Sequence, residues 1–116
     1  MLPRVLFIIT SDPRRSGKPA EAIRIAAGVS AWKKTDISVY LRDDAILALG
    51  EDTADLLNED NYTRYLPMLA ENKCPIYVQK NNQRSSELGE SPVKTEQIDD
   101  TDLAKLAAKQ NYVLRF

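Results

Sequence analysis

Apolar runs alternate with polar segments along the chain, and their lengths and periods predict an alternation of strands and helices. The run from Val5 to Thr10 is continuous and rich in β-branched residues, as in a strand buried on both faces. Further strands are predicted at 37–41, 76–79, 93–98 and 112–116, and helices at 19–34, 43–49, 63–71 and 100–109. This alternation favours an α/β fold with a parallel sheet covered on both faces. No internal repeat or linker interrupts the chain, so one domain, 1–116, is expected.

The first predicted helix carries more apolar surface than one contact with a sheet needs. At about 100° per residue, its apolar side chains cover roughly half of its circumference. One stripe can therefore face the sheet while Ile25, Val29 and Trp32 enter a subunit interface. Tyr62 and Tyr65 lie three residues apart and share one face of a later helix, so they are predicted to pack or to form a subunit contact as well.

Composition excludes several classes of function. With 16 basic and 17 acidic residues the net charge is -1, which gives no strong field for nucleic acid or an anionic membrane. The first apolar run is too short to span a membrane and lacks a signal-peptide cleavage site. A single cysteine cannot form an internal disulfide, so a cytoplasmic location is expected. The absence of histidine excludes His-dependent zinc sites and Ser-His-Asp triads, and no metal or cofactor is predicted.

Polar residues follow several predicted strands, where open parallel sheets bind their ligands. The candidates for a small ligand or an anion are Ser11, Asp12, Asp43, Gln79 and Lys80. The loop 11–18 ends in Gly-Lys as a Walker motif does, but it lacks the upstream glycine and the following hydroxyl residue, so nucleotide binding is not predicted. Asp43 and Asp44 are interpreted as N-caps of the short helix 43–49 rather than as magnesium ligands.

Cys74 is the only thiol, and it lies at the start of the strand 76–79 rather than at its end. Five residues of strand place it roughly 16 Å from Gln79. A reactive thiolate needs a helix N-terminus or nearby cations, whereas Cys74 follows a predicted helix C-terminus. A structural role is therefore favoured, and sulfur carriage by Cys74 is kept as the alternative.

Five segments, in this order and at this spacing, carry a resemblance to a known family: 5–13, 21–27, 39–46, 66–71 and 111–116. Together they resemble the DsrE/DsrF-like family, which includes the YchN-like proteins and the sulfur-relay subunits TusB, TusC and TusD. The resemblance implies a three-layer α/β/α sandwich around a five-stranded, mainly parallel sheet. It also implies assembly as a trimer, a hexamer or a heteromer with related subunits.

Some members of that family accept sulfur as a persulfide on a cysteine at the end of the strand equivalent to 76–79. Aligned on Pro75, that position is Gln79 in this chain, and glutamine cannot form a persulfide. The resemblance therefore implies a non-catalytic protein, either an oligomeric scaffold or a partner subunit related to sulfur trafficking. The alternatives are a ligand-binding or anion-binding module at the strand ends, and a sulfur transferase that uses Cys74.

Overall fold

A computed structural model describes residues 2–116 as a five-stranded sheet with helices on both faces. All neighbouring strands are parallel, in the order β4-β3-β2-β1-β5. The strands are β1 (Arg4–Ile9), β2 (Asp36–Leu41), β3 (Ile76–Gln79), β4 (Glu96–Ile98) and β5 (Tyr112–Arg115). The α-helices are α1 (Lys18–Ala31), α2 (Asp60–Glu71) and α3 (Asp100–Ala108), and Asp43–Leu49 and Gln83–Glu87 form 3₁₀ helices. The predicted three-layer α/β/α fold is confirmed, with a sheet that is parallel throughout.

The strand order decides which face each helix covers. From β1 to β4 the chain steps in one direction across the sheet, so right-handed crossovers place α1 and α2 together on one face. The step from β4 to β5 runs back past β1, and α3 therefore lies on the opposite face. All strands end at one edge of the sheet, where the loops after β1, β2 and β3 meet.

β1 is buried on both faces, as its continuous apolar sequence predicts. Successive side chains of a strand point to opposite faces. Val5, Phe7 and Ile9 pack under α1 and α2, whereas Leu6 and Ile8 pack in the smaller core beside α3. The second face is covered by one helix, none of whose residues is fully buried.

The segment 43–49 differs from its prediction. It is a 3₁₀ helix whose N-cap is Arg42, and no side chain caps it, so the interpretation of Asp43 and Asp44 as N-caps is wrong. Asp43 is the first helical residue, in a left-handed conformation with φ of 52°. The carboxylate of Asp44 binds Arg84 instead of a backbone amide. In contrast, Asp99 caps α3 through its side chain and forms a reciprocal capping box with Asp102.

A matched pair of leucines tests the larger core. Leu69 of α2 is 0 % exposed, whereas Leu57 in the preceding loop is 44 % exposed. Leu69→Ala is expected to lower the free energy of unfolding by about 2–5 kcal/mol, because it removes buried methyl groups and leaves a cavity. Leu57→Ala is expected to change it by less than about 0.5 kcal/mol. Urea denaturation measures both, and equal losses would contradict this packing.

Candidate functional site

The loops at the carboxyl ends of β2 and β3 border a polar cavity of about 610 Å³ that is open to solvent. We call it the strand-end crevice. Its lining comes from the start of the first 3₁₀ helix, the end of β3 and the loop that follows. The residues are Asp43, Asp44, Gln79, Asn81, Asn82, Gln83, Arg84 and Glu87. The crevice lies where ligands of open parallel sheets bind.

Gln79, the last residue of β3, is tied into the wall of this crevice. Its Oε1 accepts hydrogen bonds from the backbone N–H of Asp43 at 2.9 Å and from Nδ2 of Asn82 at 3.0 Å. Nδ2 of Asn82 also donates to the backbone carbonyl of Asp43 at 3.1 Å. The two amide side chains thus hold both backbone groups of a residue whose φ is 52°. A cysteine side chain is two heavy atoms shorter and could not form the same pair of bonds.

Arginines in and beside the crevice are bound by carboxylates of the same chain. Nε of Arg84 donates to Oδ1 of Asp44 at 2.7 Å, and its Nη1 lies 3.1 Å from Oε2 of Glu87. Arg14 donates two hydrogen bonds to Asp12, at 3.0 and 2.9 Å. Its Nη2 lies 3.9 Å from Oδ2 of Asp44, which links the β1 loop to the crevice. An anion that enters must therefore compete with carboxylates already in place.

These contacts shift proton affinities in the expected directions. Hydrogen bonds from the Arg14 guanidinium hold the pKa of Asp12 below its usual value, because they favour the ionised carboxylate. The reciprocal bonds raise the pKa of Arg14 and, through Asp44, that of Arg84. The Asp12 carboxylate is consequently ionised at neutral pH and binds Arg14 as an ion pair.

Of the five residues predicted to bind a ligand, the structure brings two into the crevice, Asp43 and Gln79. Asp12 joins the crevice only through Arg14, and Ser11 lies beside the chain end, with its backbone N–H directed to the carbonyl of Phe116. The backbone N–H of Lys80 donates to the carbonyl of Ile98 at 2.9 Å, which continues the β3–β4 pairing. Ser11, Asp12 and Lys80 therefore do not line the crevice.

Sequence reasoning missed the two residues of the 81–91 segment that organise this site, Asn82 and Arg84. Asn82 accepts a hydrogen bond from the N–H of Arg84 at 2.8 Å and so caps the second 3₁₀ helix. Arg84 is the only basic residue of that segment, and this isolation was the one available signal. Within residues 2–116, no group of three or more acidic or cysteine side chains is placed to hold a metal ion.

Cys74 lies at the opposite edge of the sheet, away from the crevice. Its thiol is half-buried, and burial raises the pKa above its usual value. The carbonyl oxygen of Asn72 lies 4.0 Å from its Sγ, and a weaker influence from the Ser30 hydroxyl lowers the pKa without offsetting the effect of burial. Cys74 follows the C-terminus of α2, so no helix N-terminus stabilises a thiolate there, and a structural role for this residue stays a prediction.

The predicted interface residues fall into two groups. Trp32 is 75 % exposed, and Ile25 and Val29 are partly buried beside the larger core. Tyr62, in contrast, is 2 % exposed within that core, so it has no surface to offer a partner and its placement at an interface is corrected. Tyr65 is partly buried beside the core, with the guanidinium of Arg64 over its ring at 6.0 Å.

Ile25, Val29 and Trp32 lie on the side of α1 that faces away from α2. The α2 contacts of α1 include hydrogen bonds from Asn61 to Ala20 and from Asn72 to Ser30, on the other flank of the helix. At about 100° per residue, the apolar stripe is therefore directed toward β5.

The edge strand β5 also exposes apolar side chains on the α1 face of the sheet. Tyr112 and Leu114 pair in register with Val5 and Phe7, so they lie on the α1 side of the sheet, and they are 63 % and 41 % exposed. We call this set the α1–β5 surface: Ile25, Val29, Trp32, Tyr112 and Leu114. Exposed aromatic and aliphatic side chains grouped in this way are typical of protein interfaces.

Comparison with known proteins identifies the family. The model of the DsrE/DsrF-like family matches residues 3–116. The chain belongs to the DsrE/DsrF-like family. The crystal structure of YchN from E. coli superposes with a TM-score of 0.78 and 19 % sequence identity, covering 99 % of this chain and 100 % of that one. At this identity the likeness to YchN shows the fold alone.

Two further findings on this DsrE/DsrF-like protein are negative. No curated protein matches the sequence significantly. None of the helices in residues 2–116 combines the length and the apolar character required to cross a membrane.

Replacement of Gln79 tests its role in this DsrE/DsrF-like fold. Gln79→Leu keeps a similar volume but removes the acceptor for the Asp43 N–H and for Asn82. We expect a loss of about 1 kcal/mol in the free energy of unfolding, the usual net value of such bonds. Gln97→Leu, at an exposed position of β4, is the matched control and is expected to change stability by less than about 0.5 kcal/mol. Equal losses of stability in the two variants, measured by urea denaturation, would contradict a stabilising role for the hydrogen bonds of Gln79.

Proposed function

We propose that this protein is a non-catalytic member of the DsrE/DsrF-like family that acts as an oligomeric scaffold or as a partner subunit in sulfur trafficking. The observation that carries the proposal is the position of Gln79 and the hydrogen bonds that its side chain accepts. It stands at the end of β3, where the family resemblance places the sulfur-accepting cysteine. Its amide oxygen already accepts two hydrogen bonds from the neighbouring loop residues.

The chemistry of sulfur transfer supports this proposal. A persulfide carrier needs a thiolate that attacks the donor sulfur and then holds it on its own sulfur. An amide side chain has no such nucleophile, and no thiol lines the crevice. The lone thiol of the chain lies at the other edge of the sheet, with its pKa raised by burial.

The α1–β5 surface supports the oligomeric part of the proposal. Its five side chains carry no charge, and β5 is an edge strand with one side unpaired by the rest of the sheet. Exposed edges and apolar patches are both features that soluble proteins normally cover. A second copy or a related DsrE-like subunit provides such a cover, and it leaves the strand-end crevice accessible.

A neutral polar ligand in the strand-end crevice is the second candidate function. Its volume of about 610 Å³ lies within the range of small-molecule sites. The arginines at its rim are bound by Asp12, Asp44 and Glu87, which disfavours a simple anion. Amide groups of Asn81, Asn82 and Gln83 provide donors and acceptors without net charge.

Sulfur loading tests the non-catalytic assignment. The wild type, Cys74→Ser and the double variant Gln79→Cys/Cys74→Ser are incubated with a cysteine desulfurase and free cysteine, then analysed by intact mass. The wild type and Cys74→Ser are expected to gain no sulfur, because neither has a thiol in the crevice. The double variant places a thiol at the end of β3 and is expected to gain one sulfur atom. An adduct on the wild type that disappears in Cys74→Ser would identify Cys74 as a carrier and overturn the proposal.

Substitution in the α1–β5 surface tests the oligomeric assignment. Light scattering coupled to size exclusion is expected to give a trimer or a hexamer for the wild type at micromolar concentration. Trp32→Ser/Tyr112→Ser removes the two most exposed aromatic side chains of the surface and is expected to shift the protein toward monomer. Leu57→Ser, at an exposed leucine outside this surface, is the control and is expected to leave the mass unchanged. A monomeric wild type would contradict the assignment.

A further inference from the structure

A second cavity, of about 530 Å³, opens at the edge of the sheet where the strands begin. We call it the amino-end cavity. It is bounded by the first residues of β1 and β2, by the residues just before β3 and by the ends of all three α-helices. Its charged lining residues are Arg4, Lys33, Asp36, Lys73 and Lys109. Four positive charges thus face one negative charge around a single opening.

The cations of this cavity differ from those of the strand-end crevice in having no ionic partner. Among residues 2–116, the salt bridges engage Arg14, Arg15, Arg24, Arg42 and Arg84. None of them includes Arg4, Lys33, Lys73 or Lys109. No salt bridge within the described residues therefore neutralises the four cations of this cavity, in a protein whose net charge is -1. The same holds for Lys18 and Lys80 near the strand ends, but neither of those two lines the strand-end crevice.

A structural role at the helix ends is the alternative explanation for the lysines of this cavity. Lys33 and Lys73 follow the caps of α1 and α2 in left-handed conformations, with φ of 56° and 59°, and Lys109 is the cap of α3. A cation there offsets the negative end of a helix dipole. Three helix ends contribute only about -1.5 charges in total. Together with Asp36 they leave an excess of about +1.5 charges.

The backbone positions of these lysines are fixed. The N–H of Lys33 donates to the carbonyl of Ser30 at 3.1 Å, and that of Lys73 to the carbonyl of Ala70 at 3.1 Å. The buried hydroxyl of Ser30, in the cavity wall, accepts a hydrogen bond from Asn72 at 3.0 Å and so joins the ends of α1 and α2. The lysine side chains consequently leave a fixed backbone at set points around the opening, and their flexible stems allow the ammonium groups to approach a ligand.

We propose that the amino-end cavity binds a small oxyanion with one or two negative charges, of the phosphate type. The lysine ammonium groups and Arg4 are the ligands, and the cavity is large enough to admit the anion with part of its hydration shell. This site is separate from the strand-end crevice and independent of the sulfur chemistry of the family. The thiol of Cys74 borders the cavity but takes no part in binding.

Phosphate itself is the probe, added at constant ionic strength with chloride as the balancing anion. Lys33→Gln/Lys73→Gln/Lys109→Gln removes three cations of the cavity. Lys18→Gln/Lys80→Gln/Lys105→Gln removes the same charge from exposed lysines elsewhere, two of them near the strand ends. With phosphate tenfold above its dissociation constant, the wild type and the control are expected to melt about 5 °C higher than without it. The cavity variant is expected to lose that rise.

Two outcomes would overturn the proposal. If the lysines serve only the helix ends, the cavity variant melts lower without phosphate yet keeps the full phosphate-dependent rise of the control. A phosphate titration of the wild type, followed by its backbone amide chemical shifts, tests binding without any variant. A saturable shift at residues 33, 73 and 109 is expected, whereas linear or scattered shifts indicate an unspecific salt effect and exclude a site.

Discussion

Burial of β1 on both faces is the constraint on which the rest of the structure depends. Its side chains alternate between a large core under α1 and α2 and a small core beside α3, so one six-residue strand joins the two layers. Parallel pairing with β2 on one side and β5 on the other aligns every strand in one direction. As a result all strands end at one edge of the sheet and all α-helices end at the other.

This alignment places different arrangements of charged side chains at the two edges of the sheet. At the edge where the strands end, arginines reach carboxylates from separate loops, and the ion pairs fasten those loops to one another. At the edge where the helices end, backbone carbonyls collect partial negative charge, which favours a lysine at or just after each C-terminal cap. Lysines recruited separately by three helices then converge on one cavity because the helices converge. A charge excess therefore arises from topology, before any ligand is considered.

The sequence predicts elements whose signals are local and misjudges those that depend on distant contacts. β3 has the predicted bounds because Pro75 marks its start and a polar segment marks its end. The conformation of Asp43 depends on Gln79, 36 residues further along the chain, so the local pattern suggested a cap that does not form. Arg84 escaped notice for the same reason, since its partner Asp44 is 40 residues away.

The site could be predicted only as far as the topology allowed. Asp43 and Gln79 were expected together because all strands of a parallel sheet end at one edge, and the pairing of β2 with β3 places those two ends side by side. The spacing of Tyr62 and Tyr65 placed both on one helix face. It could not show that the core closes over Tyr62 while Tyr65 stays at its border, because that depends on how α2 is rotated against α1 and the sheet.

The bonds of Gln79 give the end of β3 a fixed surface. A sulfur-accepting thiolate must stay accessible and weakly held, because it has to attack the donor's outer sulfur, release the donor as a thiolate, and later pass the received sulfur to an acceptor while keeping its own. A side chain that holds both the Asp43 amide and Asn82 in place meets the opposite requirement. The same position can therefore serve chemistry or loop fixation, but not both. With glutamine it favours a rigid strand end, which fits the proposed role of a partner subunit better than that of a sulfur carrier.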